Sequence, residues 1–178
     1  MKRYLKRILF ALLAVTIWGG GSYAQGVVYE TGFESSDGFS ASTSYNNTTV
    51  VQVGPNDTNL KWGTICGNVT NTKRVVIGGG QSMHLRYYDS NGKTPYCFTA
   101  FSLDNVSSLE FDVKGYEASG EIRVEYSTDN GDSWDGARTY EVTTDVSRIV
   151  YTLDSPANNV RLKISSLITS NKKGIAID

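Results

Sequence analysis

The sequence predicts an all-β protein, an antiparallel β-sandwich of jelly-roll type. Roughly ten short runs alternate apolar and polar residues, the period of a strand with one dry face and one wet face. Turn-forming clusters of Gly, Asn, Asp, Ser and Pro separate these runs about every eight to twelve residues. No stretch holds a helical period long enough for an amphipathic helix. Composition agrees: the 178 residues include 18 Gly and 11 Tyr but only 2 Met, and the chain is rich in Ser, Thr, Asn and Val, as β-proteins are.

The N-terminus comes first. Lys2, Arg3, Lys6 and Arg7 precede an apolar run over residues 8–18, and Ser22-Tyr23-Ala24 supplies small residues before a cleavage point. Residues 1–24 therefore read as a secretory signal peptide, with an apolar run too short to span a bilayer. The expected location is secreted or at the cell surface. Residues 25–178 remain as one β-sandwich domain, long enough for a real core. They keep 13 of the 17 basic residues and all 18 acids, a net charge of about −5. That mild acidity gives no electrostatic basis for binding nucleic acid.

Along the domain, residues 27–29 read as a first strand, leading into a polar stretch anchored by Phe33 and Phe39. Residues 49–53 form a second apolar run, ended by Gly54-Pro55-Asn56-Asp57. Residues 60–80 look loop-like, with Trp62, Cys66, a short strand at 75–77 and the glycines 78–80. Residues 82–88 alternate, Asp89-Ser90-Asn91-Gly92 turns the chain, and residues 96–101 return, so this segment reads as a hairpin. Leu109, Phe111 and Val113 share one side of the next strand. Ile122, Val124 and Tyr126 share one side of another, opposite Glu121, Arg123 and Glu125. A turn built from Asp129, Asn130, Gly131 and Asp132 follows, and Trp134 starts the return. Residues 139–142, 149–153 and 160–164 give further strands. Residues 174–178 read as a last strand that stops abruptly, as though the domain were truncated at its C-terminus.

Few residues suit catalysis. His84 is the only histidine and faces away from Met83 and Leu85, as a surface or second-face residue would. A triad would need it, and no nucleophile elbow accompanies it. Residues 78–80 lack the Lys-Ser/Thr and the helix of a phosphate loop. Glu110 with Asp112, and Glu121 with Glu125, fit wet-face charge ladders better than a glycosidase pair. No enzymatic activity is expected. Cys66 and Cys97 are the two cysteines; an exported chain favours a disulfide between them, against two buried thiols. Aromatic side chains beside Asn and Asp suit stacking on sugar faces. Tyr88, Asn91 and Tyr96 around the 89–92 turn are the candidate ligand contacts.

Two resemblances follow. Ser127-x-Asp129-x-Gly131-x-x-Trp134 resembles the Asp-box hairpin of sialidases and other β-proteins, in which the aspartate bonds turn amides and the tryptophan packs over it. A sialidase propeller would need several such boxes and far more chain. The order Glu30-Thr-Gly-Phe-Glu34, Trp62, Gly80-Gln-Ser-Met-His-Leu-Arg86, Leu109-Glu-Phe-Asp-Val113, the Asp129 hairpin and Ile175-Ala-Ile-Asp178 resembles jelly-roll accessory domains of large secreted Bacteroidetes-type proteins. These are galactose-binding-like or MAM-like in layout. The resemblance implies a structural calcium held by Glu34 and Asp178, with backbone carbonyls and Glu30 or Asp112 completing its six to eight oxygens. It also implies a non-catalytic accessory or binding module, with glycan as the partner. A structural or adhesion spacer, and the N-terminal fragment of a larger secreted hydrolase, are the alternatives.

Overall fold

The computed structural model describes residues 26–45, 49–55, 59–90 and 92–178. The signal-peptide reading of residues 1–24 lies outside them, as does Asn91. Eleven strands follow in order: β1 (Val51–Val53), β2 (Trp62–Ile65), β3 (Gly67–Thr70), β4 (Ser82–Arg86), β5 (Tyr96–Thr99), β6 (Val106–Tyr116), β7 (Gly120–Ser127), β8 (Asp135–Val142), β9 (Ser147–Ala157), β10 (Arg161–Ser166) and β11 (Gly174–Ile177). One 3-10 turn, Ser35–Asp37, precedes them. They form two antiparallel sheets, a six-stranded one in the order β1-β2-β5-β10-β7-β8 and a five-stranded one in the order β3-β4-β11-β6-β9.

Alternation decides which side chains lie between the sheets. From the six-stranded sheet, Trp62, Cys97, Ile122, Val124, Leu162 and Ile164 enter the core. From the five-stranded sheet come Met83, Leu85, Phe111, Val113, Ile149, Tyr151, Ile175 and Ile177. Phe33 and Phe39 close one end, Phe33 meeting Phe39 at 5.3 Å and Trp62 at 5.2 Å between ring centroids. Burying these side chains is the main source of stability, at about 1.5–3 kcal/mol for each large apolar one.

Several expectations change. Residues 27–29 form no strand; Val27 and Val28 are exposed and gain no burial that would order them in a sheet. Residues 75–77 are a loop whose Val75 and Ile77 pack on Tyr116 and Ala176. The stretch expected as loop contains β2 and β3, buried along their whole length. Strands covered on both faces carry no wet–dry alternation, which is why Gly63, Thr64, Asn68 and Thr70 did not announce them. β4 and β5 are no hairpin. β4 pairs with β3 and β11, β5 with β2 and β10, so residues 87–95 cross from one sheet to the other.

The disulfide is also corrected: Cys66 and Cys97 are two buried thiols. Cys97 points into the intersheet core, where burial pushes its thiol pKa far up. Cys66 sits in the β2–β3 turn at φ 53 and lies close enough to influence Tyr96. Tyr96 and Cys97 are adjacent on β5 and so point to opposite faces of the sheet.

Candidate functional site

The outer face of the six-stranded sheet is built from the residues that alternation turns away from the core. Register places them in two cross-strand rows. In one, Gly63 of β2 faces Phe98 of β5, Phe98 faces Lys163 of β10, and Lys163 faces Glu125 of β7. In the next, Ile65, Tyr96, Ser165 and Arg123 follow in the same order. Gly63 has a specific part here. A Cβ at that position would collide with the Phe98 ring, so glycine is what lets the phenylalanine lie across β2.

Trp134 extends the aromatic row. Its ring stands 6.1 Å from that of Phe98, and Phe98 stands 6.2 Å from Tyr96. The β7–β8 turn positions it. Asp129 Oδ1 accepts from Ser127 Oγ at 2.6 Å and from the Ser133 amide at 3.0 Å, while Oδ2 accepts from Ser133 Oγ at 2.6 Å. Ser127 Oγ accepts from the Gly131 amide at 2.8 Å. The Ser127 and Ser133 hydroxyls and then the Ser133 amide hold the Asp129 carboxyl well below the usual carboxylate range. Asn130 and Gly131 take positive φ, 63° and 94°, and Gly131 leaves room for the indole above it.

Charges flank the row. Lys163 Nζ lies 4.3 Å from the Trp134 ring centroid and 2.8 Å from Glu125 Oε2. Arg123 Nε lies 3.3 Å from that same oxygen. Both are ion contacts without aligned hydrogen bonds. Beside them a cavity of about 350 Å³ is lined by Ile65, Lys93, Thr94, Tyr96, Arg123, Lys163 and Ser165. Burial first, and the Cys66 thiol second, raise the Tyr96 pKa, so its hydroxyl stays a neutral donor. A half-buried aromatic strip beside polar and cationic groups can stack a flat ligand and bond its hydroxyls.

Of the expected ligand contacts, Tyr96 lies here. Tyr88 does not. It belongs to the outer side of the five-stranded sheet, with its ring 5.9 Å from Tyr45 and 5.4 Å from the Arg86 guanidinium. There, His84 is buried rather than exposed, and Tyr45 Oη lies 2.6 Å from His84 Nδ1. Burial first, then the Arg86 and Arg74 charges, lower the His84 pKa to about 3. The ring is therefore neutral, and it shares one hydrogen bond with the Tyr45 hydroxyl. Arg86 also stands over the Tyr45 and Tyr116 rings. Val75 and Ile77 cover this side, and the Lys114 ammonium fastens their loop by donating to the Val76 carbonyl at 2.9 Å.

Phe98, Trp134, Arg123 and Lys163 were not singled out as ligand contacts. The alternation of 96–98, 123–125 and 161–163 carried part of the signal; the cross-strand neighbours that join them did not show in any one strand. Among the other carboxylates, Asp112 is held by Arg148 at 2.8 and 3.0 Å, as a charge ladder requires.

The two expected metal ligands converge elsewhere, just past the end of β11, the central strand of the five-stranded sheet. Glu34 Oε1 accepts from the Gly80 amide at 2.7 Å and the Gln81 amide at 3.2 Å; Asp178 Oδ2 accepts from the Gly78 amide at 3.1 Å. Among the described residues, Asp178 Oδ1 is buried without a hydrogen-bond partner. Burial first, with Glu34, Asp112 and Asp37 nearby, pushes the Asp178 pKa up to about 6. An orphaned carboxylate oxygen beside a second carboxylate is an arrangement whose charge a cation could neutralise. Asp112 is committed to Arg148, and the described residues hold no group of three or more His, Cys, Asp or Glu arranged for a metal.

No protein-family model matches the chain, and no curated protein does. Solved structures match in fold. A lysine-to-alanine mutant of a family 29 carbohydrate-binding module, complexed with cellulohexaose, aligns with a TM-score of 0.51 at 16% identity, over 75% of this chain and 83% of that one. A second structure of a family 29 carbohydrate-binding module aligns at 0.50 and 14% identity, over 75% and 81%. An arginine-to-alanine mutant aligns at 0.50 and 15%, over 75% and 84%.

Proposed function

We propose that the chain is a non-catalytic carbohydrate-binding module whose glycan lies along the outer face of the six-stranded sheet. The observation that carries this reading is the half-buried row Tyr96, Phe98 and Trp134 beside a cavity lined by hydrogen-bonding side chains. The structural neighbours, themselves carbohydrate-binding modules, support it. Sugar rings stack on such strips, and each stacked ring contributes about 0.5–1.5 kcal/mol beyond its buried area, so dissociation constants in the micromolar to millimolar range are expected. Secretion or display at the cell surface accords with this role, supported by the basic and apolar runs of residues 2–18. A glycan array followed by calorimetry tests the reading: binding without hydrolysis, weakened in Tyr96→Ala and Trp134→Ala, is expected. Hydrolysis of any polysaccharide, or a hit indifferent to both variants, contradicts it.

A calcium ion at Glu34 and Asp178 belongs to the same proposal, with carbonyls and water completing the shell. Its role would be structural, tying residues 31–37 and 78–81 to the end of β11. Calcium should raise Tm and EDTA should lower it; a melting temperature indifferent to both removes the site.

A further inference from the structure

We infer that this face selects anionic saccharides, sugars carrying carboxylate or sulfate groups, over neutral ones. The inference rests on the glycan-binding reading and sharpens it. The domain as a whole is acidic, yet its cavity is lined by three cations, Lys93, Arg123 and Lys163, and by no carboxylate. The nearest acid, Glu125, is 7% exposed. Its Oε2 is shared by Lys163 and Arg123, so one negative charge serves two positive ones.

Donor geometry points the same way. Among the described residues, Arg123 Nε is buried and makes no aligned hydrogen bond, although Glu125 Oε2 lies 3.3 Å away. A buried guanidinium donor without an aligned acceptor is costly, and a carboxylate or sulfate oxygen matches its geometry. The Lys163 ammonium is held over the Trp134 ring and against Glu125, so it lies between the aromatic strip and the cavity. A sugar stacked on Tyr96 would bring a ring substituent to these cations, because Tyr96 and Arg123 share one cross-strand row. Glu125, beneath them, keeps Lys163 and Arg123 in place but weakens their attraction for an anion.

The test uses the whole chain and two matched pairs of polymers: polygalacturonate with its fully methyl-esterified form, and a sulfated galactan with its desulfated form. Calorimetry should show one charged form binding about tenfold or more tighter than its neutral partner, with the preference collapsing as NaCl rises from about 20 mM to about 500 mM. The pair that shows it identifies the anion. Lys93→Gln should weaken binding of the charged form, and Glu125→Gln should strengthen it, opposite shifts that loss of structure would not give. Circular dichroism checks both variants; should Glu125→Gln fail to fold, Lys93→Gln and the salt series still decide. Equal or tighter binding of the neutral forms overturns the selectivity and leaves the glycan reading intact. No binding to these four polymers or to neutral glucans, xylans and mannans overturns both.

Discussion

Both sheets turn an aromatic cluster with arginine or lysine away from the core, and the two clusters serve different ends. On the five-stranded sheet, Tyr45, His84, Tyr88 and Tyr116 surround Arg86. Residues 75–77 cover Tyr116 and Ala176, and His84 is 1% exposed. On the six-stranded sheet, Tyr96, Phe98 and Trp134 are only partly buried, and a cavity opens beside them. The same residue types make a second small core where a loop lies over them, and the proposed binding face where, among the described residues, the rings stay half-exposed. Composition alone does not separate these outcomes; what covers the sheet does.

The covered face should break first when it loses a ring. Tyr116→Ala removes a side chain packed on His84, Val75 and Ala176. A loss of about 3 kcal/mol in urea unfolding is expected, with glycan affinity unchanged in the folded fraction. A fall in affinity without a fall in stability would reverse the roles assigned to the two faces.

The next effect depends on pH. The unfolded His84 imidazole titrates near 6.5, and the folded one at about 3. The unfolded chain therefore binds the additional proton between those values. The stability of the neutral, buried ring is fully present above pH 6.5 and is lost as pH falls toward 3, by about 2 kcal/mol at pH 5. Asp178, raised to about 6, acts in the opposite sense as pH falls below that value. The His84 contribution is therefore read as the difference between wild type and His84→Gln. Parallel pH profiles would contradict the buried neutral histidine.

On the open face a ring should affect binding rather than stability. Tyr96→Ala should weaken glycan affinity by about 1 kcal/mol, roughly fivefold, with a smaller change in stability. Tyr88→Ala should leave affinity unchanged, since its ring lies against Tyr45 and Arg86. The smallest effect is indirect. Asp129→Ala unlatches the turn beneath Trp134, so a small fall in Tm should accompany a modest loss of affinity. Intact affinity would show that Trp134 keeps its place without the turn.

Much of the fold was legible because β6, β7, β9 and β10 are amphipathic, and their wet and dry residues declare two layers. Strands β2 and β3 were not, since both of their faces are covered. The 89–92 turn carried hairpin chemistry yet links two sheets, because local turn preference does not say which neighbour a strand will pair with. The Asp129 turn is read from its own Asp, Asn and Gly residues, whereas the pairing of Glu34 with Asp178 comes only from the resemblance to jelly-roll accessory domains. The proposed binding face is half legible: Tyr96 is a candidate contact in the sequence, whereas Phe98, Trp134, Arg123 and Lys163 join it through cross-strand register across three strands.

The most direct measurement is a nuclear magnetic resonance titration of the folded chain with whichever glycan binds, following backbone amides and aromatic side chains. Shifts should concentrate at Lys93, Thr94, Tyr96, Phe98, Arg123, Trp134, Lys163 and Ser165, with Tyr45, Arg86, Tyr88 and Tyr116 unmoved. Shifts gathered on the second group instead would contradict the assignment of the open face as the binding site.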